Sequence, residues 1–576
     1  MYRENKQHEQ DYLFSSVSEL PKKQRERLEK SWAATFYQDF FSRIDESKFE
    51  ILYSDKASRP NVPVNVLVSL EALKAGFGWS DAELEEQIAF NLQTRYALGY
   101  RDLTVGHFEL RTVYNFRQRL ARYMQETGEN LLETAFEQVT DKQITVLKLK
   151  TGKLRMDSVQ IASNIRQMSR IQLLVEVLQR TWRMLNADEQ RQYDALFRPY
   201  TKGTSSQYTY QIEPGEGQSH LEAIGVLLQS LVAALATAHA ENATYAMLKR
   251  VYDEHFIAVE AETVRPKVGS ELSAQSLQSP DDWEATYRQK RGVGYHGYVT
   301  NVTETCDPEN PVQLIVKVQT APNATDDAAL LNEVVPNLVS RTEVDEMHTD
   351  GGYNSAAVDA TLTANGIEQF QTAIRGAQPA TDHLSVSDFV FDRDAQGRPL
   401  TVTCPQGQTV TVVPARSDQR FTASFDASLC DHCPLLAQCP TQAMRKTPHR
   451  VLRFDQRAVN VAHRRARQRQ AKASGRNLRS AVEATVRSIK HPFGNAKLSV
   501  RGRIRVSMTM VASAAMTNVR RICRYQQAKM RQMALENERS MAENSVKPSD
   551  SLPVFVFLRP FFRRLATPSR YQPAAA

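Results

Sequence analysis

Cysteine is scarce in this chain. Six in 576 residues are too few for a disulfide framework, and four of them fall between Cys404 and Cys439. Long apolar runs are missing as well. Ala223 to Ala240 is the most apolar stretch, but Gln229, Ser230, Thr237 and His239 interrupt it. It predicts a buried helix and not a membrane span. Leu552 to Leu558 is far too short to cross a bilayer. The first ten residues are polar and lack the apolar core of a secretory signal. These gaps predict a cytoplasmic protein in a reducing environment, without a membrane partner. Hydrophobic residues at 41% and charged residues at 24% make an ordinary globular balance, which excludes a wholly disordered or collagen-like chain. The length suits roughly three or four domains.

Acids are missing from one region in particular. Thr441 to Met530 holds 22 Lys and Arg against two acids, Asp455 and Glu483. The net charge of +8 is thus the sum of +20 in this block and −12 elsewhere. Such a block points to a polyanion, nucleic acid first. The alternative for any basic run is a solvated helix face.

Apolar spacing predicts a helix over Val64 to Ala75, closed by Gly76 and Gly78. A second helix starts at Ser80, where Ser80 and Glu83 have capping-box spacing. A third opens near Thr112 and carries Arg117, Arg119 and Arg122. A helix lined with arginine could enter a major groove, or it could be a solvated surface helix. Ile144 to Asp157 alternates around a turn at Thr151-Gly152, which predicts a hairpin or bent strand ending at Asp157. Helical spacing returns from Ile165 to about Val264. Strands follow at Tyr295 to Val302 and Gln313 to Gln319. A helix from Asp326 should stop or kink at Pro336. A strand over Val344 to His348, a helix over Ser355 to Ala364 and a strand over Gln369 to Ile374 come next. This order predicts a mixed sheet with helices against it.

Asp157 and Asp350 each end a predicted apolar strand, where α/β proteins place chemistry. Either could instead be a turn former or a helix cap. Gly351 and Gly352 would allow a sharp turn and close ligand approach. Glu483 is the only acid between Gln456 and Leu535, and Arg479 and Lys490 share its helix face. A carboxylate kept among cations suits a metal ligand beside bound phosphate, although an ordinary Arg479–Glu483 pair would also explain it.

Asp157, Asp350 and Arg479-x3-Glu483-x6-Lys490 together resemble the DDE transposases of bacterial insertion sequences. Val64-Asn65-Val66-Leu67, Trp79 to Glu86, Asn91 to Tyr96 and Phe116-Arg117-Gln118-Arg119-Leu120 resemble the helical domain that precedes the catalytic core in one such group. The resemblance covers about residues 60–525. One departure is Arg476, where related transposases carry a Tyr three residues before the arginine.

The resemblance implies an α+β multidomain protein. It has a helical N-terminal DNA-binding domain (1–140) and an RNase H-like mixed α/β core (141–380) with a helical insertion at about 165–280. A cysteine-rich insertion (385–445), a basic helical return (446–530) bearing the catalytic Glu and a poorly ordered tail (531–576) follow. It also implies two Mg²⁺ (or Mn²⁺) ions held by Asp157, Asp350 and Glu483. Arg479, Lys490, Arg476, Arg117 and Arg119 would contact double-stranded DNA. A homodimer would form on DNA in a nucleoid-associated protein. The activity implied is cleavage at transposon ends and transfer of the 3′-OH into target DNA. An inactive transposase-derived DNA-binding protein and an RNase H-like nuclease without strand transfer are the alternatives. Separately, the Cys430-x2-Cys433 knuckle with Cys404 and Cys439 could form a structural Zn²⁺ site, or these could be four free thiols.

Overall fold

Helices fill the chain up to its first strand: α1 (Lys22–Glu29), α2 (Trp32–Asp39), α3 (Val64–Phe77), α4 (Asp81–Phe90), α5 (Leu92–Ala97), α6 (Leu110–Thr127) and α7 (Leu131–Leu147). The computed structural model describes residues 2–6, 15–54, 56, 60–260, 263–290, 292–373, 382–415, 419–445, 447–473, 477–494 and 497–545. The chain divides into two units, Met1–Tyr525 and Gln526–Ala576.

The capping box at α4 forms as its spacing predicts. Glu83 N–H donates to Ser80 Oγ (3.1 Å) and Ser80 N–H to Glu83 Oε2 (2.7 Å). Helix α3 runs through Gly76 and stops at Gly78, which takes φ 74°. A Cβ on Gly78 would lie 2.1 Å from the Pro492 carbonyl oxygen, so only glycine lets the loop after Lys490 reach these helices. The hairpin or bent strand expected from Ile144 is corrected at its start: Ile144 to Leu147 are the last turn of α7, capped by Lys148 at φ 52°. Ile144 and Leu147 pack beside Leu149, Leu314 and Ile522, a contact a helix end makes as well as a strand.

Strand β1 (Lys153–Ala162) begins the central sheet. An insertion follows, made of α8 (Arg170–Met184), α9 (Ala187–Thr201), α10 (Ser205–Tyr210), α11 (Gly217–His239), α12 (Ala243–His255) and the hairpin β2 (Phe256–Glu260) and β3 (Thr263–Pro266). The chain returns as β4 (Thr286–Lys290), β5 (Val293–Thr305), β6 (Ile315–Pro322), α13 (Asp327–Arg341), β7 (Glu346–Thr349), α14 (Ala356–Ala364) and β8 (Glu368–Gln371). Strand β5 pairs antiparallel with β1, β4 and β6, whereas β1, β7 and β8 run parallel. Pro336 lies inside α13, which continues to Arg341 instead of stopping. Arg341 is clamped there by Asp141 (2.6 Å) and Glu137 (3.3 Å) of α7.

The two faces of the sheet bury different partners. Leu154, Met156 and Met347 pack under α13 and α14 through Leu331, Val335, Val358 and Leu362. Ile161, Tyr298, Val302 and Val318 belong to a larger cluster with residues of α2 to α7 and of the C-terminal helices. The N-terminal helices therefore share a core with the sheet. The insertion closes a core of its own, in which one face of α11 buries Ile224, Leu228 and Leu231. Among the described residues, α11 is the helix long and apolar enough to cross a membrane by length and composition.

His255 belongs to the insertion, and both its ring nitrogens lack a partner among the described residues. Burial, helped by Arg170 and Lys267, pushes its pKa down to about 4. The folded state therefore excludes a proton that the unfolded chain accepts below about 6.5. The stability carried by neutral His255 is complete above that value and is lost as pH falls towards 4. The loss at pH 5 should reach about 2 kcal/mol. Urea midpoints at pH 7 and pH 5 check this, and His255→Phe should flatten the difference.

Beyond β8 the chain builds an antiparallel sheet from β9 (Val390–Arg393), β10 (Pro399–Thr403), β11 (Thr409–Pro414), β12 (Arg420–Asp426), β13 (Gln442–Ala443) and β14 (His449–Asp455), with the one-turn α15 (Ala427–Cys430) after β12. Its core is Phe389, Val402, Phe421, Phe425 and Phe454. Helices α16 (Gln456–Ala473), α17 (Val482–Lys490) and α18 (Arg503–Ser545) follow among the described residues. The second unit is helical through Ser545, so the first part of the expected tail is helix, and residues 546–576 lie outside the described residues.

Candidate active site

Asp157 was expected to end a strand. It lies in the middle of β1, because pairing with β5 continues without a break from Leu154↔Thr305 to Ala162↔Gly297. Its side chain is only 11% exposed. Asp350 directly follows β7, which runs parallel to β1 in the register Lys153↔Glu346 to Arg155↔His348. Two more residues of that register bring Asp350 level with Asp157. Asp350 Oδ1 accepts from Gly352 N–H at 2.7 Å. Neither Gly351 nor Gly352 takes a positive φ, so the turn itself does not require glycine. Beneath the turn, Tyr353 is fully buried and donates to Asn301 Oδ1 at 2.8 Å.

Glu483 enters on the first turn of α17, which packs on β1. Arg479 precedes that helix, and its guanidinium lies between two of the acids. It reaches Asp157 Oδ2 at 3.1 Å and Glu483 Oε1 at 3.2 Å. Burial works against the charge on Arg479, but Asp157, Asp350 and Glu483 outweigh it and raise its pKa. For Asp157 the balance goes the other way. Burial raises its pKa, Arg479 offsets this only in part, and Asp350 adds to the rise. Both aspartates and Glu483 thus act on the one guanidinium. Lys490 sits half-buried at the other end of α17, where Nζ donates to the Gln160 carbonyl oxygen at 3.4 Å and burial lowers its pKa.

The remaining expected site residues fall in different places. Arg476 lies outside the described residues. Arg117 turns inward on α6, with Nε 2.7 Å from Glu71 and Nη1 2.8 Å from Asp81. That double pair explains Arg117 as an internal tie between α6, α3 and α4. Arg119 is exposed and stacks over the Tyr53 ring at 4.9 Å. Cys404, Cys430 and Cys439 border the core of the second sheet, and the Cys433 N–H donates to the Cys430 carbonyl at 3.0 Å. Burial, then the neighbouring Cys439, raises the pKa of Cys430, with Cys404 and Cys433 adding to the rise. Among the described residues, no three His, Cys, Asp or Glu side chains are drawn together closely enough to hold a metal ion. Between Asp157 and Glu483 lies the Arg479 guanidinium.

The basic block does more inside the protein than its charge alone suggests. Arg464 pairs with Asp359, Arg467 with Glu368, Arg501 with Asp281, Arg503 with Glu284 and Arg521 with Glu304. Each acid lies earlier in the chain, so the cationic C-terminal region binds the acidic remainder. Glu304 and its partners had no place in the sequence reading. The signal was present in Arg155, a charge among the apolar residues of β1.

Residues 403–523 match the family model described as Transposase DDE domain, and residues 24–119 match the one described as Transposase domain (DUF772). No curated protein and no solved structure matches the chain. The first match contains Arg479, Glu483, Lys490 and the four clustered cysteines, and the second contains Arg117 and Arg119, whereas Asp157 and Asp350 lie between the two. Together these matches support a DDE transposase of an insertion sequence.

Proposed function

We propose that the chain cleaves DNA at the ends of its element and joins the freed 3′-OH to target DNA, using divalent metal. The observation that carries this reading is that Asp350, just past the end of β7, acts on both Asp157 of the neighbouring parallel strand and Arg479, with Glu483 tied to Asp157 through Arg479. The order β6-β5-β1-β7-β8, antiparallel on one side of β1 and parallel on the other, supports an RNase H-like core.

The donor set suits hard cations: carboxylate oxygens, two of them side by side and a third on a side chain 66% exposed and able to swing. Two Mg²⁺ or Mn²⁺ ions, when bound, supply the charge that activates a water and stabilises the attacked phosphate. Asp157 would be shared between the ions, and Asp350 and Glu483 would each complete one. Arg479 holds Asp157 and Glu483 in place and is free to take a DNA phosphate once they are otherwise neutralised. Lys490, at the far end of the same helix, would hold the next phosphate. Exposed Arg119 on α6 supports a DNA contact by the N-terminal helices, and two DNA ends held together call for a homodimer on DNA.

A strand-transfer assay with pre-cut 3′-OH ends tests the reading. Joined product is expected. Cleavage without joining would favour a nuclease, and binding without either would favour an inactive DNA-binding protein.

Separately, a structural Zn²⁺ on Cys404, Cys430, Cys433 and Cys439 is supported by the tight Cys430–Cys433 turn and by the place of Cys404, Cys430 and Cys439 beside one sheet core. A thiol-specific mercurial should release about one zinc per chain, and Cys433→Ser should abolish that release. Wild-type protein that releases none would refute it.

A further inference from the structure

Glu304 is completely buried, with 0% of its side chain exposed, yet it holds a full set of charged and polar partners. It stands opposite Arg155 in the β1–β5 register, where Arg155 Nε donates to Oε1 at 2.7 Å. Arg521 Nη1 of α18 donates to Oε2 at 2.6 Å. Thr485 of α17 donates its hydroxyl to the same carboxylate, 2.7 Å from Oε2. The guanidinium of Arg155 continues to the Leu478 carbonyl oxygen at 2.8 Å, one residue before Arg479. The β5–β6 register also shifts between Thr303 and Glu304. An irregularity of that kind re-aims a side chain and is frequent next to active sites.

These contacts surround the proposed site without touching it. Arg155 lies two residues before Asp157 on the same face of β1. Thr485 lies two residues after Glu483, about 200° further round α17, so it faces inward while Glu483 faces out. Fixing Thr485 fixes the rotation of α17 and so the direction of Glu483. Stability alone is a weak reason for this arrangement, since apolar residues of similar volume commonly serve as well as a buried ion cluster.

We infer that Glu304 is a positioning residue: one buried carboxylate sets α17 and the Arg479 segment against the strand that carries Asp157. The inference rests on the reading of Asp157, Asp350 and Glu483 as the reacting acids.

Single-turnover cleavage by the full-length protein, on saturating DNA carrying the element's ends, tests it. Thr485→Val removes one hydroxyl and leaves the ion pairs. Its rate should fall about tenfold, with the DNA concentration for half-saturation unchanged, and Thr485→Ser should restore it. Glu304→Gln should fall at least as far at a temperature where it remains folded. Asp157→Asn is run alongside. If Thr485→Val and Glu304→Gln lower only the melting temperature and cleave at the wild-type rate while Asp157→Asn is inactive, the positioning role is overturned and the site reading stands. If Asp157→Asn cleaves normally, the site reading itself fails.

Discussion

Asp157→Asn is expected to lower the rate of DNA-end cleavage by about a thousandfold, the order found when a group that stabilises transition-state charge is removed. Asn keeps the volume of the side chain and one acceptor oxygen, but it cannot serve as an anionic ligand shared between two cations. The fold should survive the change. Burial disfavours the ionised form of Asp157 and raises its pKa, so an uncharged residue relieves a cost instead of adding one. The melting temperature should therefore hold or rise while cleavage is lost, and binding of end DNA should stay near wild type. The same upward shift bears on metal loading: a proton on Asp157 competes with the cations, so half-maximal cleavage should need more Mg²⁺ as the pH falls. Cleavage rates, anisotropy binding curves and melting curves on one preparation check all three statements.

The second large effect belongs to Arg479. Its guanidinium is held by Asp157 at 3.1 Å and by Glu483 at 3.2 Å, in the space that a divalent cation would share. Arg479 and metal should then compete for the same oxygens. Arg479→Gln removes the competitor, so half-maximal activity should need less Mg²⁺ than in the wild type. It also removes the cation proposed to take a DNA phosphate, so the rate at saturating Mg²⁺ should fall by about a hundredfold. Unfolding would lower the maximal rate without lowering the Mg²⁺ needed to reach half of it. A Mg²⁺ titration of cleavage at fixed DNA separates the cases, and an unchanged half-maximal concentration would contradict the competition.

Much of this was legible in the sequence, and the failures have physical causes. Local signals were read correctly where they are self-contained. The Ser80–Glu83 box forms because its two hydrogen bonds need nothing beyond four residues of chain. The strands expected at 295–302 and 313–319 form as β5 and β6. Errors arose where tertiary packing decides. Ile144 and Leu147, expected in a strand, fit the end of α7 as well, and the helix had neighbours to pack on. Pro336 was expected to stop or kink its helix; α13 runs through it to Arg341, which Asp141 and Glu137 hold at the last turn.

For the site, the spacing of Arg479, Glu483 and Lys490 was visible, but the pairing register of β1 with β7 was not. That register alone brings Asp350 level with Asp157 across an insertion and several strands. The partners of the basic block were also hidden. Arg464, Arg501, Arg503 and Arg521 read as a DNA-facing charge until their acids on distant segments are seen.

The central claim is that Asp157, Asp350 and Glu483 make one site for divalent metal on DNA. Crystals of the protein with its end DNA, soaked in Mn²⁺ and measured for anomalous scattering, test it most directly. The account predicts two Mn²⁺ peaks about 3.5–4 Å apart, both ligated by Asp157, with Asp350 on one and Glu483 on the other and Arg479 moved onto a DNA phosphate. Peaks elsewhere, or Arg479 still lying between Asp157 and Glu483 with end DNA bound and Mn²⁺ present, would contradict it.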